Sequence, residues 1–322
     1  AIGNAADYSR LLEVMGQGNK AWLAGCLAGE LLAYTGYVLA YRDLARVAGG
    51  PELPYPTVVR VTVASFGATV LGAAAGGQAL NYWALRRAHA GRHEAVSRVL
   101  ALNTLEWAVL GVATALAALA ALLGLAGNVD PVVSIPWLVV VPVALAGAVF
   151  VSSPRRARRL TAVPLEGHRV ARGLRLALAD AVAGLVLIRR LLSRPLAYPA
   201  GVFGYPLRWL GDIFCLWSAL QAFGAELPPA ALLLGYTSGY VATALPLPAG
   251  GAGGIDASLT YALYLVGLPL APALLGVFVY RAFSFWLELG IAVALLPTLR
   301  RLREQLAGTS RGEPAPARDG AR

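Results

Sequence analysis

The stretch LPLPAGGAGGID, residues 245–256, lies between two apolar runs at 230–244 and 257–268. Its two prolines remove backbone N–H donors and disfavour helix in the preceding residues. Its four glycines allow backbone angles that other residues avoid. Non-helical backbone at membrane depth is tolerated only where protein buries it or where it lines a water-filled cavity. The stretch therefore predicts either a broken or re-entrant helix at a transporter-like site or a tight loop at the membrane surface.

The rest of the chain has the composition of a membrane protein. It is 58% hydrophobic and 14% charged, whereas soluble domains carry about 25% charged residues. Apolar runs long enough to cross a bilayer recur along it, so we predict an all-α, polytopic membrane helical bundle with about eight transmembrane helices. The predicted spans are 21–41, 58–80, 100–125, 132–151, 203–223, 230–245, 257–268 and 271–296.

Three segments complete the predicted organisation. Residues 1–20 form an N-terminal lead-in, 21–300 a single transmembrane domain, and 301–322 a basic tail whose composition predicts disorder. Residues 176–188 are too short to span comfortably and predict a helix lying at the membrane interface. The spans before Gly76-Gly77 and before 250–254 both end at glycines, which suggests a weak parallel repeat of 21–151 and 203–300.

The net charge of +10 comes almost wholly from arginine. Arginines cluster at 86–98, at 152–175 and after the last span, while 126–131 and 224–228 contain none. This pattern fits the positive-inside rule and anionic lipid headgroups, not nucleic acid. We predict a multi-pass protein of the plasma (inner) membrane with both termini cytoplasmic. The loop 42–60, with its three arginines, would then lie outside and fits this orientation worst.

Charged residues inside the apolar runs are the candidates for function, because each costs about 2.5–3.5 kcal/mol at the membrane centre unless protein or water receives it. Arg208 and Asp212 are four residues apart, which favours a local ion pair. Arg281 lies among aromatic residues and would be a good bidentate ligand for phosphate. Snorkelling to an interface, or structural pairing with Asp256 or Glu30, is the alternative for Arg281. The full set is Glu30, Glu106, Arg208, Asp212, Asp256, Arg281 and Glu288.

Motifs of soluble enzymes are missing from the sequence. There is no phosphate-binding P-loop, dinucleotide fingerprint, nucleophile elbow or Cys-x-x-Cys pair. His89, His93 and Glu94 have a spacing that could bind metal, but no further His or Cys lies nearby, and the segment is predicted to be a basic loop. We therefore predict no cofactor, no metal site and no catalytic residue.

Residues 207–296 resemble the membrane domain of lysylphosphatidylglycerol synthases and the wider flippase-like family related to it. The matching segments are PLPAGGAGGID, the preceding GYTSGYVATALPLP and the later YRAFSFWLELG. The family pattern is similar to Pro-x-Pro-Gly-Gly-x-Gly, an acidic residue, and then an Arg with aromatic residues. Here the acidic position falls on Asp256, where glutamate is more usual, and the arginine on Arg281. The family's Pro-x-x-Gly-Glu segment is replaced by GGQALNYWALRR at 76–87, which puts the role of that glutamate in doubt.

The resemblance implies a polytopic inner-membrane protein that binds a lipid or moves it between leaflets. An aminoacyltransferase domain would follow the membrane domain in the synthases; this chain ends soon after its last span, so we expect no aminoacylated product and no enzyme activity. The resemblance and the charges together predict a flippase for a phospholipid or a polyprenyl-phosphate lipid.

In this hypothesis Arg281 and Arg208 meet the phosphate. The acidic residues Asp256, Glu30, Glu106 and Asp212 balance charge, meet a cationic headgroup or relay protons. Glycines of the break line the site: Gly250, Gly251, Gly253 and Gly254. The expected partners are membrane lipids, with anionic headgroups at the cytoplasmic arginines. A second copy of the chain or an envelope-biosynthesis protein is a further possible partner. The competing hypotheses are a membrane-embedded glycosyl- or phospho-transferase acting on a lipid-linked substrate, and a non-catalytic accessory protein of cell-envelope biogenesis.

Overall fold

A computed structural model describes residues 19–125, 129–161, 169–244 and 253–294. Within these ranges the chain forms helices and no strand, which confirms the all-α prediction. The helices are α1 Lys20–Arg46, α2 Tyr55–Arg87, α3 Arg92–Leu122, α4 Pro131–Val151, α5 Pro154–Thr161, α6 Arg169–Leu192, α7 Pro199–Gln221, α8 Pro229–Tyr240, α9 Gly254–Leu265 and α10 Leu270–Arg281. Short 3-10 helices follow α1 (Val47–Gly49) and α8 (Val241–Ala244), and a π-helical turn, Ala282–Leu287, extends α10.

Polar caps and prolines set where several helices begin. The Asn19 side chain accepts the Ala21 N–H at 3.0 Å before α1, and Asp130 accepts the Val132 N–H at 2.9 Å before α4. Prolines occupy the first turn of α2, α4, α7 and α8, where a missing N–H costs no hydrogen bond. Among the described residues, four helices are long and apolar enough to cross a membrane: Lys20–Gly49, Arg92–Leu122, Pro131–Val151 and Leu270–Ala294. Of the other four predicted crossings, three belong to the two hairpins described below.

Helix α2 folds back on itself. Ser65 Oγ donates a hydrogen bond to Asn81 Oδ1 at 2.8 Å, across 16 positions, although residues that far apart in a straight helix are separated by about 24 Å. The two arms also touch through Gly77, where a Cβ would lie 2.8 Å from the Ser65 carbonyl oxygen. The prediction of one straight span over 58–80 is therefore wrong. Its apolar sequence forms a helical hairpin, called the first hairpin below, that turns between Thr69 and Gly76.

Helices α8 and α9 form the second hairpin. A Cβ at Gly235 would meet Leu263, and one at Gly239 would meet the Leu259 backbone, so the two helices run antiparallel in close contact. Each has 12 residues, or about 18 Å, which is too short to cross a 30 Å hydrocarbon core. Residues 245–252, which connect them, lie outside the described residues. The predicted crossings at 230–245 and 257–268 are thus the two short arms of one hairpin.

The two hairpins have matching neighbours. The second hairpin packs against α3, where Thr114 Oγ1 donates to Thr237 Oγ1 at 2.8 Å. The first hairpin packs against the continuation of α10, where a Cβ at Gly67 would collide with Ala292. In chain order, α1, the first hairpin and α3 correspond to α7, the second hairpin and α10.

Helices α1 and α7, which open the two halves, run antiparallel. A Cβ at Gly29 would lie 2.7 Å from the Gly211 carbonyl oxygen, and one at Gly36 would lie 2.5 Å from that of Gly204. The partner numbers fall along α7 as they rise along α1, so the helices point in opposite directions. If the halves form a repeat, it is an inverted one. The expected parallel arrangement is wrong.

The helix ends collect at two poles of the molecule. At one pole, Gly201 N at the start of α7 donates to Asp43 Oδ2 near the end of α1 at 2.8 Å. Arg98, near the start of α3, donates to the Val47 carbonyl oxygen at 3.0 Å. This end, called the basic pole, comprises residues 42–60, 86–98, 152–161 and 169–198. It holds the arginine-rich segments that the structure describes.

The opposite pole carries no arginine in its described segments. Asn19 N donates to the Ala222 carbonyl oxygen at 3.3 Å, which joins the start of α1 to the end of α7. Val129, Leu227 and Val266 pack on a shared apolar cluster there. The segments of this pole are 123–125, 129–131, 222–229 and 266–270.

Two predictions about the basic pole need correction. Residues 92–98 are helical, not a loop, because the predicted third span begins at Arg92 as helix α3. The interfacial helix predicted at 176–188 is the longer α6 of 24 residues. It packs against α3, and the Asp180 carboxylate lies 3.1 Å from His93 Nδ1. The lead-in up to residue 18 and the tail after 294 lie outside the described residues.

Candidate functional site

The predicted charged residues come together in the interior of the bundle. Glu30, Arg208 and Arg281 lie on three helices, ten, nine and eleven residues after each helix begins. With a rise of 1.5 Å per residue, each is about 15 Å from its helix end, or half the thickness of a hydrocarbon core. Glu106 on α3, Asp212 on α7 and Asp256 on α9 complete the set through ion pairs.

Arg208 is held between two acidic groups. Its Nη1 donates to Asp212 Oδ2 at 2.9 Å within α7, which is the local pair that the four-residue spacing favours. Its Nε lies 3.7 Å from Glu106 Oε1 on α3. Glycine at position 36 allows this arrangement, because a Cβ there would collide with the Arg208 backbone nitrogen. Arg208 therefore connects α3 and α7 at the point where α1 crosses.

Two tyrosines complete the coordination of Asp212. The Tyr236 hydroxyl donates to Oδ2 at 2.7 Å and the Tyr280 hydroxyl donates to Oδ1 at 2.9 Å. With Arg208, three donors from three helices satisfy this one carboxylate, which is about 98% buried. Sequence reasoning missed both tyrosines. The available signal was a phenol inside an apolar run, since a buried tyrosine hydroxyl usually has a hydrogen-bond partner.

Arg281 and Asp256 form the second ion pair. Arg281 Nε donates to Asp256 Oδ1 at 2.8 Å. The other carboxylate oxygen accepts the Gly253 N–H at 3.2 Å, so Asp256 also caps the start of α9. Gly253 adopts a left-handed conformation with φ of +80°, which favours glycine. The pair thus ties the second hairpin to α10.

One nitrogen of the Arg281 guanidinium makes no hydrogen bond to the described residues. The residue is 8% exposed, and its Nη2 has no hydrogen-bond partner among the described residues. The Phe285 ring lies 4.3 Å from the guanidinium carbon. The π-helical turn begins directly after Arg281, and such turns are frequent at functional sites. A buried donor without a partner is costly, so this nitrogen is the place where the site best accepts an external oxygen.

A third acidic group lies beside these pairs. Glu30 is 4% exposed, and its Oε1 has no hydrogen-bond partner among the described residues. It interacts electrostatically with Glu288, whose carboxyl group lies against the Tyr34 hydroxyl. Glu288 follows the π-helical turn and is half-buried. The structure thus adds Tyr34 to the candidate site residues and places it beside Glu288, which was already a candidate.

The glycines of the predicted break are only partly described. Gly253 precedes α9 and Gly254 is its first residue. Gly250 and Gly251 lie outside the described residues. Within the described ranges, no group of three or more His, Cys, Asp or Glu side chains is arranged to hold a metal ion.

A family model described as the lysylphosphatidylglycerol synthase TM region matches residues 4–292. The chain belongs to this family. The match confirms the resemblance that rested on residues 207–296 and extends it over the N-terminal half, where the quoted motif fits less well. The lysylphosphatidylglycerol synthase TM-region family comprises membrane proteins connected with lipids, so this chain is a membrane-embedded, lipid-related protein. No curated protein matches the chain.

Proposed function

We propose that this member of the lysylphosphatidylglycerol synthase TM-region family binds a phosphorylated membrane lipid at Arg281 and moves it between leaflets. The observation that carries the proposal is the buried, unpartnered Nη2 of Arg281 beside its ion pair with Asp256. A guanidinium with one free face is suited to a phosphate oxygen, because charge-assisted hydrogen bonds to phosphate are short and strong.

Arg281 is a better phosphate ligand than Arg208. Arg208 already has an acidic group on each side, Asp212 and Glu106. Asp212 is in turn fixed by the two tyrosine hydroxyls, so releasing Arg208 would leave that buried carboxylate without its cation, although Arg208 Nε itself has no hydrogen-bond partner among the described residues. Releasing part of Arg281 costs less, because the Asp256 side chain is 38% exposed. We therefore assign Arg208 to holding the helices and Arg281 to the ligand.

The N-terminus of α9, which lies next to Arg281, contributes less to anion binding than expected. Free N–H groups at a helix N-terminus attract anions, but Asp256 already accepts one of them from Gly253. A lipid phosphate would therefore bind mainly to the Arg281 guanidinium, and the Asp256 carboxylate would keep the Arg281 side chain oriented.

The two hairpins change the proposed orientation. Because the first hairpin returns the chain to the pole it left, all described arginine-rich segments share the basic pole. We propose that this pole is cytoplasmic, as the positive-inside rule requires. The N-terminus then lies on the other side of the membrane, and only the C-terminal end is cytoplasmic. The earlier expectation of two cytoplasmic termini depended on a straight span at 58–80. The loop 42–60, which fitted that expectation worst, now lies inside.

In this orientation each hairpin enters the bilayer from a different side, the first from the cytoplasm and the second from outside. Arg281 lies deep in the bundle, where Asp256 joins it to the second hairpin. The arginines of the basic pole would concentrate anionic lipids at the cytoplasmic entrance.

The test is a transbilayer movement assay. Purified protein in liposomes is given head-group-labelled phosphatidylglycerol, and the fraction that a membrane-impermeant quencher reaches is followed over time. We expect wild-type protein to move the lipid and Arg281→Gln to slow it by about tenfold or more, since a hydrogen bond to a charged group contributes about 1.5–3 kcal/mol. Arg281→Lys should restore part of the rate, because the charge remains but the fork geometry is lost.

The control is Glu226→Gln, an exposed charged residue at the opposite pole, which should leave the rate unchanged. Equal rates for wild type and Arg281→Gln, with both folded, would disprove the assignment of Arg281. Covalent turnover of a lipid-linked donor by the wild type would favour the transferase hypothesis. An inactive wild type whose Arg281→Gln variant fails to assemble would favour an accessory protein.

A further inference from the structure

Five carboxyl groups meet two guanidinium groups in the centre of the bundle. Arg208 forms ion pairs with Asp212 and Glu106, and Arg281 forms an ion pair with Asp256. These pairs leave Glu30 and Glu288, on α1 and on the continuation of α10. Full ionisation of all five acids would give the interior a negative charge, and such charges are expensive at membrane depth.

Glu30 and Glu288 belong to the same cluster of charged groups. They interact electrostatically, and Tyr34, one turn after Glu30, lies against the Glu288 carboxyl group. Glu30 Oε1 is buried without a hydrogen-bond partner among the described residues. Two carboxylates that share a site cannot both be ionised without repulsion, and a proton held by one of them removes it. A protonated carboxyl group on Glu30 or Glu288 also supplies an O–H donor for a hydrogen bond between the two side chains.

We propose that Glu30 and Glu288 share a proton that binds together with the lipid phosphate. One carboxylate oxygen takes a proton from water to form an O–H group, which cancels one negative charge, and the proton returns to water when the lipid leaves. The inference rests on the proposed function, because it names what accompanies the lipid at the same site.

The coupling follows from the position of Arg281. Glu30 interacts electrostatically with Arg281 as well as with Arg208. A phosphate at Arg281 Nη2 therefore adds an anion near a carboxylate, and protonation of that carboxylate lowers the repulsion. Linkage makes the effect mutual: the proton strengthens lipid binding and the lipid strengthens proton binding.

Several other groups face the acidic pair and set its electrostatic surroundings. Arg208 and Arg281 are cationic, and Asp212 is anionic. The groups are Asp212, Arg208 and Cys215 on α7, Tyr240 on α8, Tyr280 and Arg281 on α10, and Tyr34 on α1.

The first measurement is lipid affinity against pH. Short-chain phosphatidylglycerol is titrated into the full-length protein in detergent, at constant salt and at several pH values. For uptake of one proton the wild-type dissociation constant should rise about tenfold per pH unit across the titration range. Glu30→Gln and Glu288→Gln, which imitate the protonated side chain, should bind with a constant that changes less than twofold over the same range. The exposed Glu226 provides the control, because Glu226→Gln should keep the wild-type slope.

The second measurement needs no lipid. In the lipid-free wild type, the infrared carbonyl band of a buried protonated carboxylic acid should appear as the pH is lowered. The band should be reduced in both glutamine variants, but not in Glu226→Gln. An unchanged band in both variants would overturn the proton site even if no lipid bound. A wild-type dissociation constant that is flat with pH, or that follows sodium concentration in place of pH, would overturn the coupling while leaving phosphate binding at Arg281 intact. Absence of lipid binding at every pH would overturn both the coupling and the proposed function.

Discussion

Replacing Asp212 by Asn separates the charges that hold the fold from those proposed to meet the lipid. The substitution keeps the side-chain volume but removes the charge that pairs with Arg208 at 2.9 Å and accepts two tyrosine hydroxyls. Arg208 would keep only Glu106, at 3.7 Å, while its side chain is 7% exposed. Removing one partner of a buried ion pair costs about 3–5 kcal/mol. We expect Asp212→Asn to lower the free energy of unfolding by that amount.

Asp256→Asn is the matched comparison, since it removes one partner of the other ion pair. The Asp256 side chain is 38% exposed, so solvent screens the pair and its loss should cost about 1 kcal/mol or less. Both variants are unfolded reversibly in mixed micelles, and the lipid assay is run on the folded fraction. Asp256→Asn should keep most of its stability and lose lipid movement. Equal stabilities for the two variants would refute the division of roles between the two pairs.

Three further predictions concern the fold and its polar network. A disulfide should form between cysteines at Ser65 and Asn81, because the first hairpin brings these side chains together; failure to cross-link under oxidation would indicate a straight helix. Gly36→Leu should abolish folded expression, because a Cβ there collides with the α7 backbone, whereas Gly147→Ala, which has open space around it, should express normally; thermal stability in detergent distinguishes them. Tyr280→Phe should lower the free energy of unfolding by about 1–3 kcal/mol, since one hydrogen bond to a buried carboxylate is lost; no change would show that the hydroxyl contributes nothing.

The charged part of the site was predictable from sequence. A glutamate such as Glu30 or an arginine such as Arg281 is conspicuous in an apolar run, and its cost at membrane depth requires a partner in the protein or in water. The spacing of Arg208 and Asp212 also predicted their contact. Pairing of Arg281 with Asp256 or Glu30 was an alternative from sequence, but the choice of Asp256 was not predictable, because it depends on how α9 meets α10.

The hairpins were harder to predict. The apolar run through 58–80 has the length of a span, and hydropathy does not distinguish one straight helix from two short antiparallel arms. The turn depends on close packing of Gly77 against Ser65, which is a tertiary contact. The same missing contact explains why the orientation expected from sequence differs from the one proposed above. Tyr236 was missed because tyrosine is tolerated at many membrane positions, and only the fold shows its hydroxyl at Asp212.

The most direct test is a cryo-electron microscopy structure of the protein in phosphatidylglycerol nanodiscs. The account predicts density for a lipid phosphate about 3 Å from Nη2 of Arg281, with the Asp256 contact retained and with the density absent in Arg281→Gln. A wild-type map in which Nη2 is occupied by a protein group, with every ordered phosphate confined to the bilayer surface, would contradict it.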